Sequence, residues 1–246
     1  MVFKKIEGFD NLEIDYISNF SGGYISRNRN LLKHLELNSL TQLILEKSVF
    51  GTPIFKLGNG GNRLLILSGI HGNELPPQIA NVKLLNKLIN AELFNTVYFI
   101  PFAAPKSTMN NERTFNSMDL NRSAHIKNSL SSLIIQNIDV MNINFVGDFH
   151  STAHNSNPGF ESIFSSKSPS PESFLIGHYI SKDVGSRLIP FDYAGSSYKG
   201  AVEDVCNLKG IPAITAEVLC PFANVGEGTV EKSYMQMESF LGYFGI

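Results

Sequence analysis

The sequence is poor in cysteine and contains no long apolar run. Cys206 and Cys220 are its two cysteines in 246 residues, and two cysteines cannot form a disulfide framework. We therefore expect a cytoplasmic protein in which both thiols are buried as small hydrophobic side chains. The apolar runs are far shorter than the about 20 residues that cross a bilayer, and no apolar segment follows the basic residues near the N-terminus. The sequence predicts neither a membrane span nor a secretory signal.

An excess of positive charge is also absent. The chain carries 20 Lys and Arg against 22 Asp and Glu, a formal net charge of −2. Proteins that bind nucleic acid or an anionic membrane surface usually present clustered basic residues, and no such block occurs here. We therefore expect neither of these partners, and the sequence leaves the oligomeric state open.

Strand-like and helix-like segments alternate along most of the chain. Apolar runs that end in turns predict buried strands at residues 64–70, 96–102, 143–149, 159–164 and 211–218. Helical periodicity predicts helices over residues 76–90, 123–134, 174–188, 201–208 and 230–244. This alternation favours an α/β fold, and we predict one domain over residues 1–246, a three-layer α/β/α sandwich on a mixed, largely parallel sheet.

Three stretches fall outside this alternation. Residues 1–40 predict an irregular segment with one short helix at about 30–36. Residues 43–57 predict a hairpin that leads into the strand at 64–70. Residues 103–120 are too polar and aperiodic for a regular element, and a loop of this length in a compact domain is usually functional.

The stretch 64–74, LLILSGIHGNE, places a histidine and a glutamate just after a buried strand. Ligands of open α/β sheets bind at the carboxyl ends of the strands. His71 and Glu74 alone are a weak signal, but His150 directly follows the apolar run 143–149 and should reach the same sheet edge. Two histidines and one glutamate leave a fourth position open, as in catalytic zinc sites. We predict one zinc ion per chain on these residues; ordinary structural histidines are the alternative.

Glu217 lies inside the apolar strand 211–218, an unusual place for a carboxylate unless it faces a cleft. Apolar neighbours raise the pKa of a carboxyl group towards the range that is useful for proton transfer. Glu217 is therefore a candidate general base for a zinc site. The alternative is an edge-strand glutamate that faces solvent.

Arg113 and Arg122 lie among several asparagines in the loop 110–122. A guanidinium group beside an amide suits a carboxylate, and such a charge-assisted hydrogen bond contributes about 1.5–3 kcal/mol. The loop therefore predicts a substrate that carries a carboxylate near the bond to be cleaved. A solvated basic loop is the alternative.

Four motifs in this order resemble the zinc carboxypeptidase superfamily: HGNE at 71–74, DLNR at 119–122, DFHST at 148–152 and TAEV at 215–218. They resemble most closely the branch that contains succinylglutamate desuccinylase and aspartoacylase. The resemblance spans about residues 45–245.

The resemblance also implies a role for each matched residue. It implies zinc on His71, Glu74 and His150, with Glu217 as the general base. The remaining implied roles concern the substrate and the ligand histidines: Arg113 polarises the scissile carbonyl, Asn121 and Arg122 bind the substrate carboxylate, Asp119 orients a ligand histidine, and either Tyr193 or Tyr198 closes over the substrate.

One departure from that branch bears on the substrate. Aspartoacylase-like proteins carry a β-rich domain after the catalytic glutamate, whereas the sequence after Glu217 predicts one helix and no C-terminal β domain. We predict a zinc-dependent amide hydrolase that deacylates an N-acyl amino acid. A metallocarboxypeptidase acting on peptides or cell-wall stem peptides is the alternative, because a cleft without that domain would admit a peptide. A non-catalytic ligand-binding protein is a third possibility.

Overall fold

The computed structural model describes residues 2–246, and within this range nine strands form one mixed sheet. The strands are β1 (Lys4–Ile6), β2 (Phe9–Ser18), β3 (Thr52–Leu57), β4 (Arg63–Ser68), β5 (Thr96–Ile100), β6 (Phe145–Thr152), β7 (Ser162–Ser166), β8 (Arg187–Phe191) and β9 (Ala213–Leu219). Their order is β1-β2-β3-β5-β4-β6-β9-β7-β8. Strands β5, β4, β6 and β9 are parallel. The predicted mixed sheet is confirmed, although the outer pairs β1/β2, β2/β3, β3/β5 and β7/β9 are antiparallel.

Helices cover both faces of this sheet. They are α1 (Arg29–Leu32), α2 (Ser39–Ser48), α3 (Leu75–Leu88), α4 (Pro105–Asn110), α5 (Leu130–Val140), α6 (Glu172–Val184), α7 (Val202–Leu208) and α8 (Thr229–Gly242). The buried side chains of α2, α3, α6 and α8 share one hydrophobic core, and those of α5 and α7 share a second. The predicted three-layer α/β/α sandwich is therefore confirmed.

Strand β4 shows why these residues form a strand that is buried on both sides. Leu64 and Ile66 belong to the first core, whereas Leu65 and Leu67 belong to the second. Successive side chains of a strand point to opposite faces, so a strand between two helical layers needs a continuous apolar run.

The prediction of an irregular segment over residues 1–40 is wrong, because β1 and β2 extend the sheet, whereas the short helix predicted at about 30–36 overlaps α1. In β2 the buried Leu12 and Ile14 alternate with more exposed residues. This period of two was visible in the sequence, but the charged residues between the apolar ones made the segment look like a loop.

The predicted hairpin over residues 43–57 is also wrong, since its first half is helix α2. The side chain of Asn38 caps this helix by accepting a hydrogen bond from the backbone N–H of Thr41 at 2.9 Å. Leu40, Ile44 and Ser48 are buried at a spacing of four residues, and short apolar runs of this kind do not distinguish helix from strand. Strand β3 pairs with β2 and β5 instead of β4.

Two helix boundaries and one loop differ clearly from the predictions. Helix α6 ends at Gly185 and not at residue 188, because the φ of +75° at Gly185 suits a left-handed cap. Residues 187–191 form the edge strand β8, and an edge position tolerates Pro190. Helix α5 begins after Ser129 instead of at Ser123, because the Ser129 hydroxyl accepts from the Ser132 backbone N–H at 2.9 Å. The short helix α4 lies inside the predicted loop 103–120.

Two further observations concern the helices and the cysteines. Among residues 2–246, none of the helices combines the length and the hydrophobicity needed to cross a membrane. Cys206 and Cys220 are both buried and unpaired.

Candidate metal centre

His71, Glu74 and His150 meet at the carboxyl ends of β4 and β6. His71 Nδ1 lies 2.7 Å from Glu74 Oε1, and His150 Nδ1 lies 2.8 Å from Glu74 Oε2. One potential ligand atom from each residue lies within 4.8 Å of the others, and all three side chains are buried. The structure thus brings together three residues that the sequence separates by up to 79 positions.

The loop between β4 and α3 holds the first two of these residues in place. A Cβ atom on Gly72 would lie 2.2 Å from the backbone carbon of Ser107, so only glycine lets the loop approach α4 this closely. The side-chain amide of Gln78 donates to the backbone carbonyl of Glu74 at 2.7 Å. Proline at the start of α3 is tolerated, because the first helical N–H groups have no partner inside the helix. These contacts explain the glycine in the HGNE motif.

The sheet face under α5 and α7 changes from apolar to polar along two neighbouring strands. On this face β6 carries Val146, Asp148 and His150, and β9 carries Ala213 and then Glu217. Val146 and Ala213 pack in the core formed with these helices, and the polar residues follow them towards the carboxyl ends of the strands. The alternation of the strands therefore sends the polar side chains to one edge of the sheet.

Each histidine also faces a second carboxylate through its other ring nitrogen. His71 Nε2 lies 2.9 Å from Asp119 Oδ1, and His150 Nε2 lies 3.1 Å from Asp148 Oδ1. The second contact lacks the alignment of a hydrogen bond and is electrostatic. An imidazole held between a metal site and an outer carboxylate is the usual arrangement of metal-binding histidines. The sequence analysis assigned this role to Asp119 and missed Asp148, although the D-x-H spacing within β6 places both on one face.

The charges of the cluster fit a divalent cation. Burial acts to raise the pKa of Glu74, but His71 and His150 hold it well below its ordinary value. Burial acts to lower the pKa of His150, but Asp148 and Glu74 raise it well above its ordinary value. The buried carboxylates thus favour a positive charge within the cluster. The Nδ1 atoms of both histidines converge on the carboxylate of Glu74. Nitrogen and carboxylate ligands of this kind suit a transition metal.

Glu217 lies beside the cluster, paired with His150 across β6 and β9. Burial, with the nearby charge of Glu74, raises the pKa of Glu217 to about 8. Its Oε2 atom is buried and has no hydrogen-bond partner among the described residues. The carboxyl group therefore faces the centre and not solvent.

Arg113 and Arg122 lie at the exposed side of the centre. Arg113 places Nη1 at 3.4 Å from Glu74 and Nη2 at 3.4 Å from Asp119. Arg122 lies over the ring of Tyr198, with its guanidinium carbon 5.2 Å from the ring centroid, and donates to the backbone carbonyl of Asn121 at 2.6 Å. The side-chain oxygen of Asn121 is buried without a partner among the described residues.

The structure separates the two candidate tyrosines. Tyr198 lines the cavity beside the centre and contacts Phe164 edge-on, at 5.0 Å between ring centroids. Burial, together with the charge of Glu217, raises the pKa of the Tyr198 phenol. Tyr193 is 55% exposed and lies outside the cavity lining. The backbone N–H groups of Gly195 and Gly200 donate to Asp204, which anchors the loop that carries Tyr198.

The cavity has a volume of about 330 Å³, and its wall includes Glu203, a residue that the sequence analysis did not single out. Glu203 lies at the start of α7 and is 3% exposed. Burial, with the charge of Asp204, raises the pKa of Glu203 to about 8. In the sequence it looked like an ordinary acidic residue in the first turn of a helix.

We expect Glu203 to make the metal-free protein less stable as pH rises. In the unfolded chain its pKa is near 4.5, whereas in the folded protein it is about 8, so the unfolded state releases its proton first. This penalty begins above pH 4.5 and is complete above pH 8. Each pKa unit corresponds to about 1.4 kcal/mol, so Glu203→Gln should gain on the order of a few kcal/mol relative to wild type between pH 5 and pH 9.

Urea unfolding of chelator-treated wild type and Glu203→Gln at pH 5, 7 and 9 measures this difference. Glu231→Gln, at an exposed position of α8, is the matched control and should follow wild type. Parallel profiles for wild type and Glu203→Gln would contradict the raised pKa.

One model of a known protein family matches part of the chain. Residues 60–167 match the family model described as the succinylglutamate desuccinylase/aspartoacylase catalytic domain. This segment, less than half of the chain, contains His71, Glu74, Asp119 and His150 but not Glu217. No protein of curated function matches the sequence.

Solved structures show the same fold at low sequence identity. An aspartoacylase family protein from Mesorhizobium loti has 22% identity and a TM-score of 0.61 over 79% of this chain and 62% of its own. A succinylglutamate desuccinylase/aspartoacylase from Rhodobacter sphaeroides has 18% identity and a TM-score of 0.63 over 81% of this chain and 61% of its own. A metallo-carboxypeptidase from Burkholderia cenocepacia has 13% identity and a TM-score of 0.62 over 78% of this chain and 61% of its own.

The chain thus spans about six-tenths of the length of these three proteins. At such identities the likeness concerns the fold. Together with the family model, it confirms the predicted resemblance to the zinc carboxypeptidase superfamily and its α/β fold class.

Proposed function

We propose that this chain, which has a carboxypeptidase-like fold, is a zinc-dependent amide hydrolase that removes the acyl group from an N-acyl amino acid. One observation carries the proposal: His71, Glu74 and His150 converge beside the buried carboxyl group of Glu217, in a cavity with arginines at its exposed side. Two histidines and a glutamate form the ligand set of catalytic zinc sites. A bound zinc ion would supply a Lewis acid and a water molecule of lowered pKa.

Glu217 would transfer the proton during hydrolysis. Its carboxylate accepts a proton from the attacking water and returns it to the nitrogen of the departing amine, so that water and amide yield a carboxylate and an amine. A pKa raised towards neutrality allows one carboxyl group to do both. Glu217 must be a carboxylate to accept the proton from water. A cation bound on the neighbouring Glu74 would favour this ionised form.

The arginines would bind and polarise the substrate. Arg113 reaches the cluster, where it would stabilise negative charge that develops on the scissile carbonyl oxygen. Asn121 and Arg122 would bind the substrate carboxylate by charge-assisted hydrogen bonds. Tyr198 would cover the bound substrate, since it lines the cavity and holds the Arg122 guanidinium over its ring. Asp119 would hold the His71 ring in the orientation that presents Nδ1 to the metal.

The cavity volume of about 330 Å³ lies at the lower end of small-molecule sites and supports an N-acyl amino acid as substrate. A metallocarboxypeptidase that acts on peptides is the second candidate. It is favoured by the exposure of Arg122, which leaves the carboxylate-binding side accessible to a peptide. A cytoplasmic location remains our prediction, supported by the two free cysteines.

A substrate panel tests the proposed function. The full chain loaded with zinc should release free amino acid from N-acetyl and N-succinyl amino acids faster than from dipeptides, and a chelator should abolish the release. Matched substrates with an amidated α-carboxylate should react at least about tenfold more slowly, since a hydrogen bond to a charged group contributes about 1.5–3 kcal/mol. Faster cleavage of dipeptides would establish the second candidate, and no turnover of either class would refute both.

A further inference from the structure

Gln78, in the first turn of α3, points its side chain back to the loop that carries His71 and Glu74. Its Nε2 atom lies 2.7 Å from the backbone oxygen of Glu74, 3.3 Å from that of Gly72 and 3.4 Å from that of His71. Gln78 is completely buried, so bulk water does not compete for these contacts. One side chain thus contacts the backbone of two of the three candidate metal ligands.

Thr108 of α4 fixes the orientation of the Gln78 amide. Its hydroxyl donates to Gln78 Oε1 at 2.7 Å, and Thr108 is also completely buried. A reversed amide would turn Oε1 towards the three carbonyl oxygens of the loop, which have no proton to donate. The amide therefore has one defined arrangement, with its oxygen towards α4 and its N–H groups towards the loop.

Pro76 and Pro77 explain why a side chain makes these contacts. Proline has no N–H group, so two of the first three positions of α3 offer no backbone donor to the neighbouring loop. The amide of Gln78 carries two N–H groups and reaches back over this turn. A side-chain donor thus replaces the backbone donors that the prolines remove.

Asn28 anchors α4 from the other side. Its Nδ2 donates to the backbone carbonyl of Thr108 at 2.7 Å and to Asn111 Oδ1 at 2.9 Å. Its Oδ1 accepts from the backbone N–H of Leu31 at 3.1 Å and caps α1. Buried hydrogen bonds therefore connect α1 through α4 to the Gln78 amide, and the Thr108 hydroxyl is a fixed point.

We propose that Gln78 and Thr108 are positioning residues for the metal centre. Gln78 fixes the loop backbone so that the side chains of His71 and Glu74 are presented together to one metal ion, and Thr108 keeps the amide in the orientation that this requires. Neither Gln78 nor Thr108 belongs to the cavity lining, so both act through the ligands and not on the substrate. This inference rests on the metal site of the proposed function.

Zinc affinity, measured by competition with a chromophoric chelator, tests the proposal without turnover. Thr108→Val keeps the shape of the side chain and removes the hydroxyl, which frees the Gln78 amide. The zinc dissociation constant should rise at least about tenfold, the lower end of what loss of an outer partner costs. Gln78→Met should show the same loss, whereas Thr108→Ser retains a hydroxyl and should bind zinc nearly as wild type does.

Thr41→Val is the matched control. Thr41 is a completely buried threonine of α2, and its hydroxyl also meets a side-chain amide, that of Asn86 at 3.2 Å. Urea unfolding of the metal-free proteins measures the stability that each substitution removes. Thr41→Val should lose stability as Thr108→Val does, but it should keep the zinc affinity of wild type, because its hydrogen bond does not lead to the metal loop.

Hydrolysis assays on the same zinc-loaded proteins separate this inference from the proposed function. Weaker zinc binding in Thr108→Val and Gln78→Met, with no hydrolysis of any substrate by wild type, would refute the proposed function and leave the positioning role established. Zinc affinity at the wild-type level in both variants, or an equal loss of affinity in Thr41→Val, would overturn the positioning role and leave the hydrolase standing.

Discussion

Replacement of Glu217 by glutamine is expected to lower kcat by about 10²–10⁴-fold while zinc remains bound. Glu217 is the buried carboxyl group paired with His150 across two strands, and its pKa is raised to about 8. Glutamine has the same shape but cannot accept the proton of the attacking water. The three proposed ligand residues lie on β6 and on the loop after β4, so the substitution should leave them in place.

Zinc content and kcat measured on the same preparation test this expectation. Glu231→Gln, at its exposed position on α8, is the matched control and should retain both. Activity near the wild-type level in Glu217→Gln would remove this residue from the proposed mechanism. Loss of zinc together with activity would instead show that Glu217 acts through the metal site.

Replacement of His150 by alanine is expected to abolish both stoichiometric zinc binding and activity. The change removes one of the two imidazole nitrogens that converge on Glu74. Loss of an outer partner of a metal ligand already lowers metal affinity by about 10–100-fold, and loss of a ligand itself should cost more. The change also leaves the buried Asp148 without the imidazole beside it, which should destabilise the fold.

Elemental analysis of protein purified without chelator measures the first effect. Wild type should contain about one zinc ion per chain and His150→Ala almost none. His178→Ala, at an exposed position of α6, should retain its zinc. Because His150→Ala could lose metal by unfolding, its circular dichroism spectrum is recorded in parallel, and His150→Gln serves as a second variant of similar volume. Wild-type protein that takes up no metal even when incubated with zinc would refute the metal site.

The sequence alone was sufficient to predict the four parallel strands at the centre of the sheet. The apolar runs of β4, β5, β6 and β9 are continuous because these strands are buried on both faces, and such runs are visible without a structure. Strand β2, by contrast, has one polar face, and α2 has a short apolar run that suits either element. Both were mispredicted, since a short segment does not show which neighbour will cover it.

The sequence also determined which residues could be proposed for the site. His71, Glu74 and His150 could be proposed as ligands because each directly follows an apolar strand or the turn after it, and parallel strands end at the same sheet edge. Glu217 could be proposed as the general base because a carboxylate within an apolar strand is unusual unless it faces a cleft.

Only the tertiary structure decided which further residues share the site. Tyr198 lines the cavity and Tyr193 does not, although both lie in one loop that Asp204 anchors through the backbone of Gly195 and Gly200. Asp148 lies in an apolar strand two residues before His150, but only the structure shows that it contacts this histidine, and Glu203 carries no signal in the sequence that distinguishes it from an ordinary acidic residue. Their importance comes from burial, which raises the cost of a charge and depends on what packs around it. That environment is assembled from β6, β7, β9 and α7, which are distant in sequence and adjacent only after folding.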